Sequence, residues 1–254
     1  MGLFLSIIIP AHNEEHRLPA TLKTVDAYLA RQTYTSEILV VENGSQDLTA
    51  VVTESFAADH PRVRLIREAA RGKGLAVRRG MLEAQGQWRF ICDADLSMPI
   101  TELPKFLPPA LDDYGIAIGS REAPGSHRYN EPPHRHLIGR VFTTLVKVFA
   151  MPGFEDTQCG FKCVRAEVAE DVFRVQKFNG MSFDVEMLYI ARKRGYRIVE
   201  VPIEWYYQAE SRVRLVEDSL KMFVDILKIR RNWYTGKYEV RSQKSEVRPP
   251  TSDL

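Results

Sequence analysis

The first half of the chain alternates between short apolar runs and segments with helical periodicity. The apolar runs are rich in β-branched residues and occupy 3–9, 37–41, 63–66, 88–93 and 114–119. Apolar residues at helical spacing lie between them, first at Leu18, Leu22, Val25 and Leu29 and then within 47–58 and 74–85. Apolar strands separated by amphipathic helices predict an α/β fold with a mostly parallel sheet flanked by helices.

A polar segment follows each predicted strand. These segments are "PAHNEE" at 10–15, "ENGSQD" at 42–47, "RGKG" at 71–74, "DADLS" at 93–97 and "SRE" at 120–122. Any one of them alone is an ordinary strand-to-helix turn. Ligands of such sheets bind beyond the carboxyl ends of the strands, so polar segments gathered at this edge predict a binding site.

The fourth of these segments points to a metal. Asp93 and Asp95 flank the small Ala94 at the end of a buried strand. Two carboxylates so close together repel each other unless a cation lies between them. Hard oxygen ligands of this kind suit Mg²⁺ or Mn²⁺ bridging a diphosphate, so we predict such a cofactor bound by both aspartates.

The composition narrows the class of protein. The 254 residues suffice for one large domain, and a net charge of +2 gives no reason to expect nucleic acid as a partner. The three cysteines, Cys92, Cys159 and Cys163, are an odd number that suits buried thiols in a reducing compartment. No apolar run has the length needed to span a bilayer.

The order of several motifs resembles one known family. "SIIIPAHNEE", "EILVVENGSQD", "RGKGLAVRRGM" and "DAD" are similar to the GT-A glycosyltransferases of family two. "DTQCGFK" (156–162), "FDVEML" (183–188), "VEVPIEW" (199–205) and the segment 211–230 resemble its polyprenyl-phosphate branch. Within that branch the dolichyl-phosphate glucosyltransferases are the nearest in pattern, with the mannosyl-phosphate synthases as relatives. The resemblance covers 4–235.

This resemblance implies a GT-A, Rossmann-like fold and an enzyme that inverts the anomeric carbon of a hexose. The donor would be a UDP-sugar, with glucose first, and the acceptor a polyprenyl or dolichyl phosphate at the membrane surface. A GDP-mannose donor or a soluble acceptor remain alternatives. A nucleotidyltransferase would need a Gly-rich loop after the first strand, which "PAHNEE" lacks. A non-catalytic module that binds nucleotide sugars is the other alternative.

The resemblance also assigns roles to individual residues. It implies nucleotide binding by Pro10, Ala11, Asn13, Glu14, Glu42, Lys73, Asp93, Ala94 and Asp95. It implies contacts to phosphates, sugar or acceptor by Arg121, Arg135, Arg140 and Gln158, and catalytic carboxylates at Asp156, Asp184 and Glu186. Asn43 stands where the family usually has a second aspartate facing the base, which weakens the inference of base identity. Asp184 has a competing interpretation as the cap of the helix that follows it.

The second half of the chain suggests contact with a membrane. The segments 135–151 and 213–234 combine apolar faces with Arg and Lys, which suits amphipathic helices lying in a bilayer interface, although core helices have a similar pattern. We therefore expect a single domain over 1–235, with a nucleotide-binding half (1–120) and an acceptor-binding half (121–235). A polar tail at 236–254 is expected to be disordered. The expected location is the cytoplasmic face of a membrane, by peripheral association.

Overall fold

A computed structural model describes residues 2–132, 144, 146, 147, 151–208 and 215–239 of the chain, with only the backbone of 215–220. Its strands are β1 (Leu5–Ala11), β2 (Ser36–Asn43), β3 (Val63–Glu68), β4 (Trp88–Ile91), β5 (Ile116–Ser120), β6 (His127–Tyr129), β7 (Lys162–Arg165), β8 (Ile198–Pro202) and β9 (Glu204–Tyr206). Its helices are α1 (Leu18–Leu29), α2 (Thr49–Asp59), α3 (Lys73–Glu83), α4 (Ala166–Val175), α5 (Phe183–Lys193) and α6 (Leu215–Tyr234), with a 3-10 helix at Ile100–Phe106.

The main sheet within these residues has the strand order β3-β2-β1-β4-β7-β5-β8. β7 is antiparallel to both of its neighbours, and the other neighbouring pairs are parallel. The predicted mostly parallel sheet is therefore confirmed. β6 and β9 form a separate parallel pair.

Helices cover both faces of this sheet, as the continuous apolar strands predicted. On one face Ile8, Leu39 and Val41 pack with α3, α4, α5 and α6, and on the other Ile7 and Ile9 pack with α1. The four predicted core positions of α1 are all buried. α3 lies so close to β1 that a Cβ at Gly80 would stand 2.4 Å from Ile8 Cγ2. Because β1 and β2 are parallel, the loops that follow them emerge at the same edge of the sheet.

The C-terminal part of the chain differs from the expectation at one boundary. Residues beyond 235 were predicted to form a disordered tail, but Tyr238 is only 2% exposed and donates a hydrogen bond to Glu186 at 2.8 Å. The packed structure therefore extends past the predicted boundary, because the Tyr238 ring is buried and its hydroxyl donates to the buried Glu186 carboxylate. Residues 240–254 lie outside the described residues.

The predicted membrane-facing segments are described only in part. Arg135, Arg140 and most of 135–151 lie outside the described residues, as do 213 and 214. Of the second segment, α6 is described. None of the helices in the described part of the chain combines the length and the apolar character that crossing a bilayer requires.

Candidate active site

The loops after β1 and β2 are joined by hydrogen bonds at the edge of the sheet that is predicted to bind a ligand. The Asn13 backbone N–H donates to Ser45 Oγ at 3.1 Å, and Asn13 Oδ1 accepts the Gln46 backbone N–H at 2.8 Å. Asn13 has a φ of 54°, a left-handed conformation that asparagine tolerates better than most residues. The structure thus brings the predicted nucleotide residues Pro10, Ala11 and Asn13 next to the second loop.

The two carboxylates predicted in these loops have protein partners. Glu14 forms a bidentate ion pair with Arg17, both contacts being 2.8 Å. Glu42 is 8% exposed and accepts the Ser45 backbone N–H at 2.5 Å. Both side chains brace the loop conformation, so contacts of these carboxylates with ribose or base stay a prediction.

Asp93 and Lys73 form the centre of the site. Lys73 Nζ lies 2.7 Å from Asp93 Oδ1, and a Cβ at Gly160 would lie 2.1 Å from Asp93 Oδ2. Burial alone would raise the pKa of Asp93, but Lys73, and beyond it Lys162 and Arg121, outweigh burial and lower it. Burial likewise opposes the charge of Lys73, yet the surrounding carboxylates raise its pKa. Both groups are therefore ionised at neutral pH.

Asp95 is oriented by the turn in which it lies. Its Oδ1 accepts the Ser97 backbone N–H at 3.0 Å, and the Ala94 carbonyl accepts the Thr21 hydroxyl at 2.6 Å. The two aspartates offer the hard oxygen donors that Mg²⁺ and Mn²⁺ prefer. No group of three His, Cys, Asp or Glu side chains that could hold a metal occurs among the described residues. The pair therefore fits a divalent ion that takes its other ligands from phosphate oxygens and water.

Arg121 and Asp156 form a buried ion pair on the other side of the site. Arg121 Nε and Nη2 donate to the two carboxylate oxygens of Asp156 at 2.6 and 3.0 Å. Backbone N–H groups of Arg121 and Gln158 donate to the same carboxylate, each at 3.1 Å. Burial favours protonation, but the Arg121 guanidinium and these donors lower the pKa of Asp156 to about 2. Gln158, predicted to contact the sugar, donates its side-chain amide to Met222 Sδ at 3.0 Å.

Lys162 belongs to the site, although the sequence analysis gave it no role. It is 1% exposed, and its Nζ lies 2.7 Å from Asp184 Oδ1 and also donates to the Cys159 carbonyl. Burial raises the pKa of Asp184 more than Lys162 and Lys73 lower it. The signal for Lys162 was available, because a lysine inside a buried apolar strand requires a charged partner. The alternative role of Asp184 as a helix cap is not realised: α5 has no side-chain cap hydrogen bond at its start.

These groups interact as one set, called here the charged cluster. It consists of Lys73, Asp93, Asp95, Arg121, Asp156, Lys162 and Asp184. The pKa of Asp93 responds to all three cations, and that of Lys73 responds to three of the carboxylates. Such a concentration of opposite charges, with Asp156, Lys162 and Asp184 buried and the others partly exposed, is typical of a site that binds an anionic ligand together with a cation.

Glu186 lies apart from these interactions, in the packing of α5. Its Oε1 and Oε2 accept the backbone N–H groups of Lys177 and Phe178, each at 2.9 Å, and Oε1 also accepts the Tyr238 hydroxyl. The side chain is 0% exposed. These contacts give Glu186 a structural task, and we no longer favour it as a carboxylate that reaches substrate.

The prediction of buried thiols is confirmed. Cys92, Cys159 and Cys163 are free and buried. Burial raises the pKa of Cys159 and of Cys163 to about 12 in each case, so both stay protonated at neutral pH.

Comparisons with known proteins show which family the sequence resembles. The family model described as "Glycosyl transferase family 2" matches residues 6–173. A dolichyl-phosphate beta-glucosyltransferase of Drosophila melanogaster is 34% identical over 265 residues, covering 96% of this chain and 80% of the relative. One of Trichomonas vaginalis is 32% identical over 264 residues, covering 99% of this chain and 77% of the relative.

Solved structures share the fold at low sequence identity. Glucosyl-3-phosphoglycerate synthase from Mycobacterium tuberculosis, in complex with Mn²⁺, UDP-glucose and phosphoglyceric acid, has a TM-score of 0.65 and 16% identity, covering 89% of this chain and 79% of that chain. Mannosyl-3-phosphoglycerate synthase from Rubrobacter xylanophilus has a TM-score of 0.63 and 19% identity, covering 97% and 79%. With the fold, the ordered motifs and the family match in agreement, the chain belongs to glycosyl transferase family 2.

Proposed function

We propose that this chain transfers glucose from UDP-glucose to a polyprenyl phosphate such as dolichyl phosphate, with inversion at the anomeric carbon. The observation that carries the proposal is the Lys73–Asp93 ion pair, which lies beside Asp95 just after β4. The hydrogen-bonded loops after β1 and β2 lie at the same edge of the sheet. The relatives from Trichomonas vaginalis and Drosophila melanogaster, 32% and 34% identical over nearly the whole chain and named dolichyl-phosphate beta-glucosyltransferases, support the sugar and the acceptor.

The chemistry requires little proton transfer. The second pKa of a phosphomonoester is about 6, so a polyprenyl phosphate is largely ionised at neutral pH and is itself the nucleophile. The protein's task is then to position two anionic substrates and to stabilise the charge that develops on the departing diphosphate.

The charged cluster supplies groups for both tasks. Lys73 contributes a fixed positive charge on the nucleotide side. Arg121 offers guanidinium donors of the geometry that phosphates favour, and Asp156 keeps that guanidinium oriented through its bidentate contact. Asp184, whose pKa is raised, is the carboxylate of the cluster best suited to accept a proton if the acceptor arrives as the monoanion.

A divalent cation, Mg²⁺ or Mn²⁺, belongs to this proposal. Asp93 and Asp95 would hold it, and when bound it would neutralise charge on the diphosphate leaving group. Lys73 keeps Asp93 ionised and therefore able to act as a ligand. The Mn²⁺ in a solved structure with the same fold supports this part of the proposal.

Contact with a membrane surface is proposed for α6. Val224 and Leu227 are exposed on this helix at 44% and 48%, and Lys228 and Arg231 are exposed beside them. An apolar stripe flanked by cations suits the interface of an anionic bilayer, where a polyprenyl phosphate resides. We propose peripheral association with the cytoplasmic face, together with the segment around Arg135 and Arg140.

The decisive experiment is a transfer assay with defined substrates. The purified chain, Mn²⁺ and a series of UDP-sugars and GDP-mannose are incubated with dolichyl phosphate in liposomes, and the extracted lipids are analysed by mass spectrometry. We expect a hexose added only from UDP-glucose. Transfer from GDP-mannose would contradict UDP-glucose as the donor. Equal transfer to a short water-soluble phosphate would contradict a lipid as the acceptor. A calorimetric titration with tighter binding of GDP than UDP would also contradict the proposed base.

A further inference from the structure

The first turn of α3, which carries Lys73, is held from outside the helix. This turn has no side-chain cap hydrogen bond. Instead, the Leu75 backbone N–H donates to the Asn179 carbonyl at 3.2 Å, and Gln176 Nε2 donates to the Gly74 carbonyl at 2.8 Å. Residues 176–180, called here the bracing segment, therefore supply one acceptor for the unpaired N–H groups of a helix start, the Asn179 carbonyl, and one further hydrogen bond to the first turn.

The bracing segment and the helix start are in tight contact. A Cβ at Gly72 would stand 2.4 Å from the Asn179 carbonyl oxygen, and a Cβ at Gly74 would stand 2.6 Å from the Phe178 carbonyl oxygen. The two glycines therefore pack against these carbonyl groups with no room for even a methyl group. Together with the two hydrogen bonds, this close packing couples the bracing segment to the turn that presents Lys73, so a displacement of the segment should move that turn.

Glu186 holds the bracing segment in place. Each of its carboxylate oxygens accepts one backbone N–H, from Lys177 and from Phe178, at 2.9 Å. Tyr238 completes the arrangement by donating its hydroxyl to Oε1 at 2.8 Å. Glu186 and Tyr238 are 0% and 2% exposed, so water cannot replace a lost hydrogen bond without rearrangement.

We propose that Glu186 and Tyr238 are positioning residues for Lys73: through the bracing segment they set its ammonium group against Asp93 and thereby set the affinity for the nucleotide diphosphate. The inference rests on the nucleotide site of the proposed function and adds to it two residues that touch no substrate. It also gives the chain end beyond α6 a part in donor binding.

The test is the binding of UDP in the presence of Mn²⁺, measured by calorimetry on the full chain. Tyr238→Phe should weaken UDP binding by about 10-fold, in the range found when the partners of ligand-binding groups are removed. Glu186→Gln should weaken it further, because the amide NH₂ that replaces one carboxylate oxygen is a donor and cannot accept the backbone N–H that faces it. The donor KM should rise in Tyr238→Phe while the acceptor KM stays unchanged.

Tyr196→Phe is the matched control. It also removes a tyrosine hydroxyl that donates to a carboxylate, that of Asp171, at 2.9 Å. Because Tyr196 and Asp171 are only half-buried, we expect a smaller loss of thermal stability, with unchanged UDP affinity. A purely structural role of Tyr238 predicts unchanged UDP affinity in both variants, so an unchanged UDP affinity in Tyr238→Phe would overturn the proposal.

The route through Lys73 is tested by combining variants. In the background of Lys73→Met, the further change Tyr238→Phe should no longer affect UDP affinity, because its effect passes through the missing ammonium group. An undiminished effect would refute the route.

Hydrogen exchange separates this inference from the proposed function. In the ligand-free protein, Tyr238→Phe should speed amide exchange in 72–80 and 176–180, and Tyr196→Phe should not. If the unmodified chain fails to bind UDP, the proposed function fails, and the exchange result still decides whether Glu186 and Tyr238 hold the helix start. Unchanged exchange in Tyr238→Phe would refute the inference even if UDP binds.

Discussion

Replacing Lys162 by methionine is the sharpest perturbation of the buried charges. Lys162 and Asp184 are 1% and 3% exposed, and their charged atoms lie 2.7 Å apart. Methionine keeps most of the side-chain volume but removes the positive charge, so Asp184 is left buried without the cation it contacts. Breaking a buried ion pair in this way costs about 3–5 kcal/mol. Because a domain's total stability is about 5–15 kcal/mol, this single change should remove a large part of it.

The stability lost in Lys162→Met should depend on pH, and the protonation of Asp184 determines the direction of that dependence. Burial raises the pKa of this carboxyl and Lys162 lowers it, so removing Lys162 raises the pKa further. A carboxyl whose folded pKa exceeds its unfolded value stabilises the folded state when it is protonated, and this contribution is lost as pH rises through the folded pKa. The deficit of Lys162→Met should therefore shrink as pH falls, by at most about 1.4 kcal/mol per pH unit.

The assay is urea unfolding followed by tryptophan fluorescence, from about pH 8 down to about pH 5. Arg67→Met serves as the control, because Arg67 Nη2 lies 2.8 Å from Glu54 Oε1 and both side chains are exposed, at 61% and 54%. An exposed pair contributes about 0–1 kcal/mol, so this variant should lose little stability. Equal losses in the two variants, or a deficit of Lys162→Met that does not shrink towards low pH, would refute the reasoning.

Three further predictions concern the ligands. Gly160→Ala should weaken UDP·Mn²⁺ binding by about 10-fold or more in calorimetry, because its methyl would lie 2.1 Å from Asp93 Oδ2; an unchanged affinity would contradict that contact. Asp95→Asn should reduce hexose transfer by about 10²-fold or more, and full activity of the unmodified chain in excess EDTA would end the metal hypothesis. Replacing Lys228 and Arg231 by glutamine should weaken binding to anionic vesicles by about 1 kcal/mol for each residue, which a flotation assay would detect. Unchanged flotation at low salt would argue against the proposed membrane contact.

The parts of the fold that sequence could predict are those set by local patterns. Leu18, Leu22, Val25 and Leu29 recur at helical spacing, and all are buried in α1. The apolar runs marked the first strands, and the polar segments after them marked the edge of the sheet where the site lies. The antiparallel direction of β7 escaped prediction, because strand direction depends on the path of the chain between strands rather than on the residues within them.

The roles of single site residues could not be predicted, because their partners are distant in sequence. Asp156 pairs with Arg121 and Lys162 with Asp184, and Tyr238 lies 52 positions from Glu186. The sequence pattern can show that a charged residue lies in an apolar segment. Only the packed structure shows which charge neutralises which.

The pairing also distinguishes the environments of the three carboxylates to which the family resemblance gave a catalytic role. Asp156 is held ionised by Arg121 with its pKa at about 2, so it is a poor acceptor of a proton near neutral pH and a good means of orienting the guanidinium. Asp184 has a raised pKa despite two nearby ammonium groups, which places its proton equilibrium closer to neutral. Glu186 is fully used by backbone and tyrosine donors. We therefore expect three different tasks for these carboxylates, two of which lie in the first turn of the same helix, because burial and partner charge differ at each.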